Sequence, residues 1–160
     1  AVLAALASPE LTGLPPAALD DLAAALELPW AAAREQRLHL DRGHSRRTAT
    51  GRKGPDWLTL RGQLLTAILR HRHGMPGIQI AALLGADPST INDATRQLTA
   101  LLGPGHPALA PGPARLRTPG DLRSYAATSG ITIPDPPPVR RRRHSTSPAR
   151  DTPETRSILE

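Results

Sequence analysis

Apolar residues at helical spacing predict two helices in the first quarter of the chain. Between Thr12, a suitable cap, and Pro29, small and branched apolar residues recur three or four positions apart. Proline lacks an amide hydrogen and its ring clashes with the preceding turn, so we expect Pro29 to end this helix and to stand in the first turn of the next. We assign residues 1–41 to an N-terminal helical segment. The apolar positions of the first helix are Leu14, Ala18, Leu22, Ala25 and Leu26, and one side of the second is lined by Trp30, Ala33, Arg37 and Leu40.

The next periodic stretch predicts an amphipathic helix from Thr59, a capping candidate, to His73. Its apolar residues recur at intervals of three to five, and Gly74 and Pro76 follow as helix-ending residues. The residues of this predicted apolar face are Leu60, Leu64, Leu65, Ile68 and Leu69.

Two further helices are predicted directly afterwards. A short helix covers residues 77–84, and a turn follows it. Asp87 is a suitable N-cap for the next helix, and Pro88 suits its first position. The last helix then continues to about Leu102. Together with the preceding helix, these elements form a predicted domain over residues 58–103.

Beyond this domain the chain is rich in Pro and Gly. We predict a loop-rich extension over residues 104–134, with one short helix at 119–127 and an extended piece at 131–133. Residues 135–160 have the composition of a disordered basic tail. Its arginine run, 140–143, is interpreted as solvated, with nonspecific nucleic-acid contact as the alternative.

The composition favours an all-α fold with a thin core. The 160 residues include two Trp, one Tyr and no Phe, so the apolar content is mostly Ala and Leu. Large apolar side chains contribute about 1.5–3 kcal/mol each when fully buried, and a core without many of them must rely on packed helices. Because the chain also has 18 Pro and 13 Gly, we expect a small helical domain flanked by flexible segments rich in Pro, Gly and Arg.

The two helices around the turn match the spacing of a helix-turn-helix. Such a unit needs a small residue where the helices cross, a residue tolerant of positive φ in the turn, and an apolar plug on the second helix. Ala81, Gly85 and Ile91 supply these at relative positions 0, +4 and +10. The spacing therefore predicts a helix-turn-helix whose second helix enters the major groove of DNA.

The residues expected to face DNA follow from helical geometry. Hydroxyl side chains suit phosphate or base-edge contacts, Asn92 can bind adenine through two hydrogen bonds, and Arg96 can bind guanine or phosphate. An acidic residue at Asp93 fits only if it accepts from cytosine or pairs with Arg96 or Gln97. For each candidate residue, the alternative is that it is exposed to solvent without contacting DNA. The candidates are Gln79, Pro88, Ser89, Thr90, Asn92, Asp93 and Arg96.

Positive charge is concentrated just before this domain. The chain has a net charge of +6, but residues 1–36 carry one Arg against five acidic residues and are not expected to bind phosphate. Residues 37–53, in contrast, have a net charge of +5, and we assign 42–57 to a basic arm. The arm either follows DNA phosphates or the minor groove, or is a solvated linker. Its candidate contacts are Arg46, Arg47, Arg52 and Lys53.

The sequence contains no pattern typical of catalysis, a cofactor or a metal site. It has no Cys, which excludes disulfides and thiolate-bound metals. His71 and His73 lie on different helix faces without a third ligand nearby, and there is no phosphate-binding glycine loop or nucleophile elbow. No apolar run approaches the ~18 residues of a membrane helix. We expect a cytoplasmic, non-enzymatic protein without catalytic residues, metal or cofactor.

Three segments together resemble a known family. LTLRGQLLTAILRHRHGMPGIQIAALLGADPSTINDATRQLTALL is similar to the helix-turn-helix that precedes the catalytic domain of DDE-superfamily insertion-sequence transposases. LTGLPPAALDDLAAALELPWAAAREQRLHLDRG and RLRTPGDLRSYAATSGITIP resemble the flanking segments of actinobacterial members. The resemblance covers about residues 11–134. It implies binding of double-stranded DNA at the terminal inverted repeats of a mobile element, in the bacterial cytoplasm and associated with the nucleoid.

The family's catalytic domain, with three metal-binding carboxylates, usually follows these segments. Only 26 residues follow Pro134, so we expect a truncated or first-frame transposase that relies on a separate DDE catalytic polypeptide. Two alternatives remain. A stand-alone transcriptional regulator would use the same motif as a homodimer, and a transposase relic would bind nothing specific.

Overall fold

The computed structural model describes residues 2–42 and 58–135, and over these ranges the protein is helical without a strand, which confirms the predicted all-α fold. A 3-10 helix, Pro107–Leu109, precedes the last α-helix. None of the described helices is both long enough and apolar enough to cross a lipid bilayer. The α-helices in this part of the chain are α1 (Val2–Leu6), α2 (Pro9–Thr12), α3 (Pro16–Arg42), α4 (Leu60–His73), α5 (Gly77–Leu84), α6 (Pro88–Leu102) and α7 (Pro119–Thr128).

Helix α4 lies at the centre of the fold. The Thr59 hydroxyl caps it as predicted, accepting a hydrogen bond from the Gly62 amide at 3.2 Å. Gly74, with a φ of +67°, ends it in the left-handed region. The prediction of an amphipathic helix was wrong, because every residue from Gly62 to Leu69 is buried. Helices α1, α2, α3, α5 and α6 all contact α4 and enclose it.

The predicted helix break at Pro29 is wrong, because α3 continues through this residue. One 27-residue helix continues through the proline, although an interior proline costs about 3 kcal/mol. Contacts on both sides of it hold the helix. Leu26 is buried in the core, and Trp30 Nε1 donates to Gln63 Oε1 on α4 at 3.1 Å. Thr12 is not the cap of this helix, as it lies at the end of α2.

The segment after α6 is attached to the end of α4 by backbone hydrogen bonds. The amides of Gly112 and Leu116 donate to the carbonyls of Arg72 and His73 at 2.8 and 3.0 Å. The last carbonyls of a helix have no partner within the helix, so this segment satisfies them. The short helix predicted at 119–127 is confirmed as α7, with Leu122 buried as expected.

The side chain of His73 joins three segments of the chain. It is fully buried, with Nε2 2.7 Å from the carbonyl oxygen of Leu11 and Nδ1 3.1 Å from that of Ala114. Its ring centroid lies 5.9 Å from that of Tyr125 on α7. One hydrophobic cluster likewise draws residues from the N-terminal segment, the central helices and the extension.

Some predictions concern residues that the structure does not describe. The basic arm from residue 43 to 57 and the tail from residue 136 onward lie outside the described residues, and so does the side chain of Leu40. The proposed division of the chain into five segments stays a prediction.

Candidate nucleic-acid interface

Helices α5 and α6 pack closely around a three-residue turn. Ala81 is 1% exposed and Ile91 is fully buried. Gly85 ends α5 with a φ of +63°, in the region that disfavours residues with a Cβ. Each of these residues therefore meets the steric requirement that the sequence spacing assigned to it.

The start of α6 is fixed by Asp87, as predicted. Its Oδ1 accepts hydrogen bonds from both the hydroxyl and the amide of Ser89, the latter at 2.8 Å. These two bonds lower the pKa of the Asp87 carboxyl below its usual range, the hydroxyl contributing most. Because the Ser89 hydroxyl donates its hydrogen to Asp87, it can act toward a further partner only as an acceptor.

The exposed strip of α6 consists of Ser89, Thr90, Asp93 and Arg96. Arg96 Nη1 lies 3.1 Å from Asp93 Oδ1, and the two side chains are 79% and 56% exposed. Arg96 is one of the two partners that the sequence predicted for Asp93. The pair makes the strip electrically neutral.

Asn92 differs from its predicted position. It is half-buried, and its Oδ1 accepts a hydrogen bond from Arg70 Nη1 at 2.7 Å. An added Cβ at Gly77 would overlap the same Oδ1, so the pair closes over the first residue of α5. A bidentate adenine contact uses this oxygen as an acceptor, and here it already accepts one hydrogen bond from within the protein. Pro88 and Gln79 are also half-buried rather than fully outward.

Two grooves flank the exposed strip. The first, the α4–α6 groove, has a volume of about 500 Å³ and contains three basic side chains. One of them, His71, has its Nε2 2.9 Å from Thr99 Oγ1. The lining residues are Arg70, His71, Asn92, Thr95, Arg96, Thr99, Ala100 and Pro104.

The second, the α3–α6 groove, has a volume of about 240 Å³ and brings two arginines of α3 beside α6. The Arg34 guanidinium lies 5.5 Å from the ring centroid of Trp30, and Arg37 donates to Gln97. Arg34 was missed in the sequence because residues 1–36 carry one Arg against five acidic residues, and Arg37 was assigned only to a helix face and to the basic stretch 37–53. The sequence signal that could have found them is their spacing from Trp30, because residues 30, 34 and 37 fall on one face of a helix.

The remaining candidates belong to the basic arm. Arg46, Arg47, Arg52 and Lys53 lie outside the described residues. Within residues 2–42 and 58–135, no three His, Asp or Glu side chains come close enough to hold a metal ion.

Comparison with known proteins yields no relative to set beside this geometry. No protein-family model, no curated protein and no solved structure matches the chain.

Proposed function

We propose that this protein binds double-stranded DNA through a helix-turn-helix formed by α5 and α6. The observation that carries the proposal is the α5–turn–α6 unit. Ala81, Gly85 and Ile91 fix how the two helices pack, and the capped N-terminal half of α6 presents its polar side chains to solvent. A rigid helix with exposed polar residues in its first two turns is what major-groove reading requires.

Because the strip on α6 is electrically neutral, base contacts and backbone contacts would come from different parts of the surface. Ser89, Thr90 and Arg96 would contact base edges, while affinity for the backbone would come from the arginines of the two flanking grooves. The basic arm over residues 42–57 would add further phosphate contacts. In this proposal Asn92 positions Arg70 and does not read a base.

The biological role is proposed from the sequence resemblance. The DNA would be the terminal inverted repeats of an insertion sequence, and cleavage and joining would be carried out by a separate DDE catalytic polypeptide bound to the same ends. The protein would then be found with the nucleoid, in the cytoplasm.

The experiment is a selection of bound duplexes from a random library by the full chain, at about 50 mM salt, where phosphate contacts are strong. Recovery of one defined site that matches the ends of a neighbouring mobile element supports the proposal. Two half-sites about 10 bp apart would instead indicate a dimeric regulator. No retention of any duplex would refute DNA binding and favour a relic.

A further inference from the structure

We propose that the α4–α6 groove is an oxyanion site that holds one phosphate group of the DNA backbone. This inference rests on the proposed DNA binding, and it identifies the protein groups that would contact that phosphate. None of them except Arg96 belongs to the exposed strip of α6.

The charges in the groove favour an anion. Arg70 contributes a positive charge from α4, Arg96 lines the groove from α6 while paired with Asp93, and none of the described residues that line the groove is acidic. Asp93, which pairs with Arg96, lines the α3–α6 groove. Arg70 therefore faces the α4–α6 groove with a positive charge that none of the residues lining the groove neutralises.

The geometry of Arg70 suits a phosphate. A guanidinium has five N–H donors in one plane, and the bond to Asn92 uses Nη1. That bond restrains the guanidinium at the wall of the groove. A guanidinium held in this way loses less conformational freedom when it forms paired hydrogen bonds to a phosphate.

A buried hydroxyl without a hydrogen-bond partner lies in the wall of the α4–α6 groove, and it indicates a ligand independently of the charges. Thr95 is 3% exposed, and its Oγ1 is buried without a hydrogen-bond partner. Most buried hydroxyls in proteins have a partner. Thr95 lines the groove, and threonine in a helix has two accessible χ1 rotamers for its hydroxyl. A phosphate oxygen would then accept the hydrogen bond that Thr95 lacks.

The position of the groove points to the DNA backbone as the source of the phosphate. Arg96 lies both in the groove and on the strip proposed to enter the major groove. Backbone phosphates border the major groove, so a duplex bound along this strip brings them to the sides of α6. Free inorganic phosphate has the same chemistry and is distinguished by the test.

The test compares Arg70→Gln with Arg117→Gln in the full chain. Arg117 is an exposed arginine that lines neither groove, so it is the matched control for the loss of one charge. Binding of a fluorescein-labelled duplex is measured by anisotropy against salt concentration. We expect Arg70→Gln to weaken all duplexes about tenfold and to reduce the slope of log K against log salt by about 0.9, one phosphate contact, while Arg117→Gln changes neither.

A second variant separates ligand binding from structure. Thr95→Val removes a buried hydroxyl without changing volume, and it is expected to raise the melting temperature while weakening duplex binding about threefold to tenfold. A raised melting temperature with unchanged affinity would overturn the role of Thr95 in the site.

The source of the phosphate is settled by NMR of the full chain. We expect the duplex to shift the amide signals of Thr95 and Thr99, and the Arg70→Gln variant to lose these shifts. Shifts produced by sodium phosphate but not by the duplex would overturn the backbone assignment. Duplex binding with an unchanged salt slope for Arg70→Gln would overturn the site and leave the proposed function standing. Failure of the native chain to bind any duplex would instead remove the proposed function.

Discussion

Arg70 on α4 donates a hydrogen bond to Asn92 on α6 at 2.7 Å, directly over the first residue of α5. The absence of a side chain at Gly77 leaves the space for this pair. The three central helices are therefore connected at one polar contact beside the exposed strip of α6. The contact gives Asn92 a partner within the protein that its sequence position did not suggest.

If Asn92 positions Arg70, substitution of Asn92 will lower the stability of the fold and will weaken binding to all DNA sequences equally. We expect Asn92→Ala to lower the free energy of unfolding by about 1 kcal/mol, the usual value of one hydrogen bond, in urea titrations. Affinity should fall equally for the selected duplex and for a duplex with one A·T pair exchanged. A variant of normal stability that loses discrimination at that single pair would show that Asn92 reads adenine instead.

The left-handed conformation of Gly85 makes it sensitive to any side chain. We expect Gly85→Ala to destabilise the fold by about 1–2 kcal/mol, because L residues are disfavoured at this φ. Gly120 is the matched control, since a Cβ there would have only an ordinary contact of 3.5 Å, with Thr118 Oγ1. Gly120→Ala should leave stability unchanged or slightly higher. Equal effects of the two substitutions in thermal unfolding would contradict this account of the turn.

His73 should be among the costliest positions to change. Replacing it with alanine leaves a cavity and removes the ring nitrogens from the Leu11 and Ala114 carbonyls, so we expect a loss of about 3 kcal/mol. His71→Ala, two residues away on a half-buried side chain, should cost about 1 kcal/mol or less. Chemical denaturation of both variants measures the difference, and similar losses would argue against the bridging role of His73.

The cap of α6 predicts a dependence on pH. Folding lowers the pKa of Asp87 through its bonds to Ser89, so the carboxylate stabilises the folded state above its unfolded pKa of about 3.9. That contribution is lost as pH falls through the lower folded value. We therefore expect Asp87→Ala to be less stable than the native chain at pH 7, with the difference shrinking below about pH 4. Asp87→Asn, which keeps an acceptor oxygen, should lose less. A difference that stays constant down to about pH 2 would exclude the charge of Asp87 as the cause.

Elements with local signals were predictable from the sequence. Thr59 and Gly74 mark the ends of α4, and Asp87 with Pro88 marks the start of α6, because capping and ring constraints act over a few residues. The spacing of Ala81, Gly85 and Ile91 likewise describes a contact between neighbouring helices.

Features that depend on distant packing were not predictable in this way. Local preference favours a break at Pro29, and it is overridden by the contacts of Leu26 and Trp30 with the rest of the fold. The pairing of Arg70 with Asn92 spans 22 residues, and it cannot be read from the polarity of α6 alone. The arginines of α3 become candidates only once α3 is known to lie beside α6.

The central claim is that the exposed strip of α6 reads DNA, and one measurement tests it most directly. The affinity of the selected duplex for Arg96→Ala is compared with that for Arg117→Ala, by anisotropy at one salt concentration. We predict that Arg96→Ala weakens the selected duplex by about 1–3 kcal/mol, more than it weakens an unrelated duplex, and that Arg117→Ala has no such effect. Equal affinities of the native chain and the Arg96→Ala variant for the selected duplex would contradict the claim.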